Sequence, residues 1–415
     1  MINRIASIIL RGGTLASKFV LIVFLARYLS LDELGIYALV VASVSYCLYL
    51  LGMDFYTFSS RDILSDKKIH WKEKIKDQFS FYAIIYIVTI SIAAYIYLLK
   101  IIPDEIVIFG VAVLIADHFS QELMRIMVIM GKPNEANIQL FIRTGGGSFF
   151  AIGFMWLANI YSLSVVFTFW LLGDILAILF SIFVLRRENI GDIKTYKINW
   201  LWILNGLKIC TPLLISTLAN RGVYTVDRYF VSHYSGVEMV GIYSYYSSFS
   251  GALLAFVDAG VIIYFYPKLI SAFNNKERVE YRRIVRAFYK AIALVCLAVS
   301  IGLLAFIPTL TKYVGKNQFL DSIPLFYLLL LSMVIYCFSL VCHYELYAMR
   351  KDKQLIASAV ISFVVAIICM PILGYFYGGY GVAGGQLIAI TVLSVVKFVF
   401  LKAGKRRVIE NDILF

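Results

Sequence analysis

Residues 26–44 read ARYLSLDELGIYALVVASV, and residues 227–249 read DRYFVSHYSGVEMVGIYSYYSSF. Both pass from Arg-Tyr through a short polar turn and an acidic residue into a Gly-Ile-Tyr that opens an apolar run. The matching residues are Arg27–Tyr28, Glu33 and Gly35–Ile36–Tyr37 in the first, and Arg228–Tyr229, Glu238 and Gly241–Ile242–Tyr243 in the second. The apolar runs flanking each turn are long enough for membrane-length helices and too long for strands. The same passage met twice is the mark of an internal repeat.

The repeat extends beyond these passages. LMRIMVIMGKPNEANIQ at 123–139 echoes LYAMRKDKQLIASA at 346–359, with Met130-Gly131-Lys132 against Met349-Arg350-Lys351. Basic amphipathic stretches at 60–77 and 267–287 also correspond. The longest break between apolar runs divides the chain. The reading is a six-helix lobe over 1–185, a linker over 186–208, a second six-helix lobe over 209–402 and a basic tail over 403–415. An even number of crossings per lobe makes this a parallel repeat, with a pseudo-two-fold along the membrane normal.

Composition agrees with a membrane protein. Of 415 residues, 61% are hydrophobic and 15% charged, and the mean hydropathy is +0.84. Soluble domains carry about 25% charged residues. The expected fold class is therefore all-α and integral to the membrane, with about twelve transmembrane helices of ~20–25 residues in two six-helix bundles. The apolar run after Arg4 is broken by Arg11 and Lys18 and meets no small-residue cleavage site, so the first helix is expected to stay. The six cysteines lie in apolar runs without CxxC spacing and read as free thiols, and the four histidines are scattered. No cofactor or metal constellation is expected.

The net charge of +13 belongs to membrane orientation and does not call for nucleic acid as a partner. One set of inter-helix segments is basic. It holds Arg61, Lys67, Lys68, Lys72, Lys74 and Lys76, then Arg186, Arg187, Lys194 and Lys197, then the cations of 268–286, Arg350–Lys351–Lys353 and Lys405–Arg406–Arg407. The alternate set is short and nearly free of cations, with Lys100, Lys312 and Lys316. The basic side is cytoplasmic by the positive-inside rule, so both termini are expected inside.

A charge at the bilayer centre costs about 2.5–3.5 kcal/mol on insertion scales and is kept where it finds a partner or a wet cavity. Arg4, Ser7, Arg11, Thr14 and Lys18 recur at spacings of three and four on one face of the first helix. At 1.5 Å per residue, Arg11 stands ~9 Å and Lys18 ~20 Å above the inner boundary. Thr217, Arg221, Tyr224 and Arg228 repeat the pattern in the seventh, and Arg143 enters from the inner side of the fifth. Arg11, Lys18, Arg143 and Arg221 are the candidate anion-binding residues. Asp117 and Asp174, near mid-depth, are candidates for ion or proton coupling, or neutralise a neighbouring cation. Asp117, Gln121 and Arg125 share a face, so Arg125 is expected to pair within its own helix. Lys397 and Glu345 are expected to snorkel to the inner surface.

Tyrosine is frequent, at 29 residues. The run Tyr243-Ser244-Tyr245-Tyr246-Ser247-Ser248 presents ring faces and hydroxyls, which suit a sugar, or else serve hydrogen bonding between helices. Tyr224, Tyr243 and Tyr246 are the candidate glycan-facing residues.

With these residues the sequence resembles the Wzx-type polysaccharide (O-antigen) flippases of the multidrug/oligosaccharidyl-lipid/polysaccharide exporter superfamily. The likeness lies in the two six-helix halves, the cationic first helix, the ARYLSLDELGIYALV and VDRYFVSHYSGVEMVGIYS passages and the basic 60–77 stretch. It implies a V-shaped pair of bundles around a cationic central cavity in the bacterial inner membrane. The implied cargo is an undecaprenyl-pyrophosphate-linked oligosaccharide, moved between leaflets by alternating access. Membrane lipid and polysaccharide-assembly proteins are the implied partners, and no enzymatic activity is expected. Two rivals stand beside it. A cation-coupled drug or metabolite antiporter of the same superfamily would favour an acidic, aromatic-lined cavity. A membrane-embedded glycan polymerase or glycosyltransferase would need a substantial loop with paired acidic residues, which the short outer segments lack.

Overall fold

The computed structural model describes residues 2–65, 70–99, 104–186 and 197–410. The cations Lys67, Lys68, Lys100, Arg187 and Lys194, residues 187–196 of the expected linker and the end of the tail lie outside the described residues. So do the side chains of Arg4, Ser7, Arg406 and Arg407. The described residues are helical and contain no strand. In chain order the helices are α1 (Ile2–Tyr28), α2 (Leu31–Gly52), α3 (Phe55–Ser65), α4 (Trp71–Leu98), α5 (Asp104–Ile129), α6 (Pro133–Leu140), α7 (Gly147–Ala158) and α8 (Leu163–Arg186). There follow α9 (Trp200–Val257), α10 (Ile263–Asn274), α11 (Arg278–Val314), α12 (Asn317–Asp321), α13 (Ile323–Ala348) and α14 (Asp352–Glu410). Two π-helical turns, Phe141–Gly146 and Asp258–Ile262, join α6 to α7 and α9 to α10.

Nine helical stretches among the described residues are long and apolar enough to cross a membrane. Two of them bend at a glycine with positive φ, Gly236 (φ 82°) in α9 and Gly378 (φ 58°) in α14, and divide there into two crossings each. Only glycine adopts such angles without strain. With the charge-bearing α1 added, the crossings number about twelve, and the protein is a multi-pass membrane protein. Its helices turn large apolar side chains outward, such as Ile87, Tyr95 and Leu98 on α4 and Leu176, Leu179 and Phe183 on α8. A soluble chain of this size would not leave so much apolar surface uncovered.

The chain forms two compact units. One comprises Met1–Leu29 with Val40–Leu214, the other Ser30–Leu39 with Ile215–Phe415. In the N-terminal unit α3, α4, α5 and α8 share an apolar core of Ile63, Ile75, Leu123, Ile126, Met127, Val184 and Leu185. Of the stretches expected as amphipathic linkers, 60–65 belongs to α3 and 267–274 to α10, and both helices have apolar faces to bury: Phe55 and Ile63 in one, Leu269 and Ala272 in the other. The start of α9 is fastened to the N-terminal unit. Trp202 Nε1 donates to Asp62 Oδ2 (2.9 Å), and Asn199 N donates to Asp77 Oδ1 (3.0 Å).

The duplicated passage has a structural purpose. Ser30 and Glu33 form a capping box at the start of α2. The Ser30 amide and hydroxyl donate to Glu33 Oε2 (3.0 and 2.9 Å), and the Glu33 amide donates back to Ser30 Oγ (3.2 Å). Two residues on, α2 crosses α9 at the glycines of the two Gly-Ile-Tyr copies. A methyl group on Gly35 would strike the Val237 carbonyl, and one on Gly241 would lie 2.9 Å from Leu31 O and 3.1 Å from Gly35 N. The two copies pack on each other. Near this crossing, burial holds the Lys316 ammonium, in the turn between α11 and α12, below the usual lysine value, and the field of Glu33 opposes that.

Candidate functional site

In the N-terminal unit, four of the residues singled out from the sequence converge. Arg143 Nη1 lies 2.9 Å from Asp117 Oδ1. Asp174 is fully buried within the field of both, and Lys18 is within electrostatic reach of Arg143 and Asp117. The two cations and two carboxylates come from α1, the first π-helical turn, α5 and α8. Lys18 itself is exposed, whereas Arg143 and Asp117 are buried. Neither Asp174 oxygen has a hydrogen-bond partner, and Arg143 Nε has none either. An enclosed carboxylate without donors is held ionised at a cost of several kcal/mol, so such a site takes up a proton or a cation.

The backbone explains the convergence. α7 and α8 approach so closely that a Cβ on Gly147 would lie 2.9 Å from Phe169 O, and one on Gly173 would lie 2.7 Å from Arg143 O. Glycine at both positions lets the helices touch, and this seats Arg143 and the neighbouring Asp174 side by side. The π-helical turn at Phe141–Gly146 shifts the register by one residue just where Arg143 enters, a distortion frequent at functional sites.

Arg11 stands apart from this cluster. It is exposed and its Nε donates to Asn137 Oδ1 at 2.9 Å. Thr14, on the expected stripe, is buried, and its hydroxyl donates to the Leu10 carbonyl of its own helix (2.8 Å). Among its described side chains the stripe therefore resolves into two exposed cations, Arg11 and Lys18, with a buried threonine between them.

Arg125 does pair within its helix, as expected, but its carboxylate is Glu122, with Gln121 Oε1 at 3.2 Å. Glu122 is fully buried. It also accepts from Gln78 Nε2 (2.8 Å) and has His118 Nε2 3.8 Å away. Tyr86 OH bonds His118 Nδ1 (2.6 Å), and the Arg125 guanidinium sits 3.5 Å from the centre of the Tyr56 ring. The reading placed Asp117 on the face of Arg125, and the structure gives Asp117 to Arg143.

The C-terminal unit holds the second set. Arg221 on α9 is exposed and shares its electrostatic surroundings with Asp258, Tyr224 and Tyr336. Asp258 opens the second π-helical turn and is exposed too. The Tyr224 ring meets Tyr336 edge-on at 6.1 Å, and its hydroxyl is buried without a hydrogen-bond partner.

Tyr243 and Tyr246 correct the reading. Both are fully buried. The Tyr243 hydroxyl lies 3.0 Å from Asp227 Oδ2 and 3.0 Å from Gln386 Oε1, and the Tyr246 hydroxyl donates to the Phe319 carbonyl. Their hydroxyls tie α9 to its neighbours, which is the hydrogen bonding between helices that the tyrosine run also offered. Asp227 is a residue the sequence reading passed over. It is fully buried and accepts from the Arg228 backbone amide (2.7 Å) and guanidinium (3.0 Å). Its place inside the repeated Arg-Tyr passage, beside an arginine within a long apolar run, was the available signal.

Lys397 and Glu345 correct the reading as well. Neither snorkels: both are buried, Lys397 beside the Tyr336 ring (5.8 Å) and Glu345 between the Tyr281 hydroxyl (2.9 Å) and the Lys405 ammonium. The six cysteines are free thiols. Among the described residues no group of three or more His, Cys, Asp and Glu side chains is arranged to hold a metal ion.

No protein-family model matches the sequence, and no curated protein matches it. Solved structures do match in fold. An inward-facing multidrug resistance MATE family transporter of the MOP superfamily superposes with a TM-score of 0.76 at 14% identity, over 95% of this chain and 96% of that one. The lipid II flippase MurJ, in an inward closed conformation, gives 0.70 at 16% identity, over 97% and 87%. A variant of the Vibrio cholerae MATE transporter VcmN gives 0.58 at 15% identity, over 98% of each chain. The chain thus has the all-helical fold of MATE transporters and MurJ, and these neighbours are transporters and a flippase.

Proposed function

We propose that this protein is a flippase that carries an undecaprenyl-pyrophosphate-linked oligosaccharide, of the O-antigen or related surface-polysaccharide kind, across the bacterial inner membrane by alternating access. The observation that carries the proposal is that each unit exposes a cation which the sequence reading puts at membrane depth, Lys18 in α1 and Arg221 in α9. A pyrophosphate bears about two negative charges, and its bare transfer through hydrocarbon is prohibitive. Charge-assisted hydrogen bonds from lysine and arginine offset that cost while the polyprenyl tail stays in lipid. Arg11 captures the head group from the cytoplasmic side, Lys18 offers it a cation in the N-terminal unit and Arg221 offers one in the C-terminal unit. Arg143, paired with Asp117, joins them when a proton or small cation at Asp174 or Asp117 alters the balance of the cluster. Both termini face the cytoplasm.

The named cargo of MurJ, lipid II, supports a lipid-linked substrate here. One observation favours a second reading, a cation-coupled drug antiporter: the enclosed, donor-free carboxylate of Asp174. Such a transporter would need that carboxylate but would gain nothing from exposed lysine and arginine.

The test is translocation of a short polyprenyl-pyrophosphate oligosaccharide in liposomes, read by a glycosidase confined to one side. Wild type is expected to move the glycan, and Lys18→Ala and Arg221→Ala each to slow it at least about tenfold, the loss of one charge-assisted contact. Undiminished transport by the double variant at equal abundance removes the cationic site. Absence of glycan movement, together with proton-driven efflux of a cationic dye that Asp174→Asn abolishes, establishes the antiporter instead.

A further inference from the structure

The first four turns of α11 carry an unusual density of exposed cations. Arg282, Arg283, Arg286 and Lys290 are exposed and, with Val279 and Ala287, line an open hollow of about 580 Å³. Among the described residues the one ion pair on this face joins Arg283 to Glu280, at 3.5 Å and largely exposed. The opposite face, with Tyr281, Ile284 and Phe288, is buried in the unit.

The cationic face has a continuation. At 100° per residue, Leu294, Leu297, Ile301 and Leu304 fall on the same side of the helix as Arg283, Arg286 and Lys290, and all four are exposed. From Lys290 to Leu304 this apolar stripe runs ~21 Å, enough to accompany an acyl chain through one leaflet of ~15 Å. One helix face therefore offers several cations at its head and an uncovered apolar track beneath them.

We propose that this face of α11 is a binding site for an anionic phospholipid. Arg282, Arg286 and Lys290 hold the phosphate, and Leu294, Leu297, Ile301 and Leu304 line the acyl chains. A soluble acidic partner would use the cations and leave the apolar track unexplained; a lipid uses both. Each cation near an anionic surface changes partitioning about fivefold. The site is independent of what the protein transports.

The probe is phosphatidylglycerol. The full-length protein is reconstituted in phosphatidylcholine doped with phosphatidylglycerol and re-extracted, and the retained lipids are counted by mass spectrometry. Wild type is expected to retain phosphatidylglycerol in excess of its share. Arg282→Gln/Arg286→Gln/Lys290→Gln lowers that enrichment at least about tenfold, with phosphatidylcholine retention unchanged. Arg350→Gln/Lys351→Gln/Lys353→Gln, which removes three cations elsewhere, keeps the wild-type value. The charge-retaining Arg282→Lys/Arg286→Lys also keeps it, which separates binding from misfolding. Three results overturn the proposal: full enrichment in the glutamine variant, an equal loss in the 350–353 variant, or release by inorganic phosphate well beyond release by chloride at equal ionic strength. The last assigns the cations to free phosphate instead.

Discussion

A carboxylate enclosed by protein and accepting no hydrogen bond, as Asp174 is, bears the full cost of burial whenever it is ionised. Asparagine has nearly its shape without its charge, so Asp174→Asn is expected to fold and to melt within about 1 kcal/mol of wild type. It is also expected to lose gradient-driven transport while gradient-free exchange continues. Unaltered coupling in this variant makes the residue structural. Glu122 is a different case, because its charge is matched. Glu122→Ala leaves the Arg125 guanidinium without its carboxylate and is expected to destabilise the N-terminal unit by about 3–5 kcal/mol, read by thermal unfolding in detergent. Replacing both partners with apolar residues, as in Glu122→Met/Arg125→Met, is expected to restore most of that loss. The polar positions at depth were legible from hydropathy alone, which is why Lys18, Asp117, Arg143 and Asp174 stood out. Their partners were not. Spacing along one helix pairs Arg125 with a near neighbour correctly, but it carries no information about a contact between α5 and the π-helical turn.

Helices come out of this sequence readily and their irregularities do not. α8 and α13 are each a single membrane-length helix, and the polar sequence on both sides of each marks it plainly. The π-helical turns at Phe141 and Asp258 left no such mark, because a register shift costs little where small residues such as Gly145 and Gly260 adjoin it. Close approach makes its own demand. Gly173→Ala is expected to push α8 from the Arg143 backbone at a cost of about 1–3 kcal/mol, with impaired coupling besides, whereas Gly153→Ala, where a methyl would meet nothing within 4 Å, is expected to be neutral. Equal melting of the two variants removes the argument that glycine spacing seats Arg143 near Asp174. Tyr243 and Tyr246 show the limit of reading chemistry from composition: a tyrosine that binds sugar and one that ties two helices have the same sequence, and only the α9 contacts separate them.

For the molecule as a whole, the alternation of basic and cation-poor segments makes a prediction that chemical labelling can check. In a cysteine-free background, Lys72→Cys and Arg350→Cys are expected to react with an impermeant maleimide from the cytoplasmic side. Asn159→Cys and Lys316→Cys are expected to react from the opposite side. A mixed pattern breaks the orientation and with it the assigned path of the head group. Fold class and the repeat were readable at this scale because each rests on many residues at once. Cargo and coupling rest on a few side chains, and the same fold serves both a multidrug transporter and a lipid II flippase.

The contact between Gly35 and the Gly241 region bears on how such a chain can change over generations. After a duplication, two copies ordinarily drift apart, each answering to its own surroundings. Here a residue in one copy is the surroundings of its counterpart in the other. A bulkier side chain at position 35 survives only if the 237–241 turn yields, and the reverse holds as well. The two halves are therefore expected to have aged in step at this crossing while diverging elsewhere, and relatives of this protein should keep both positions small together.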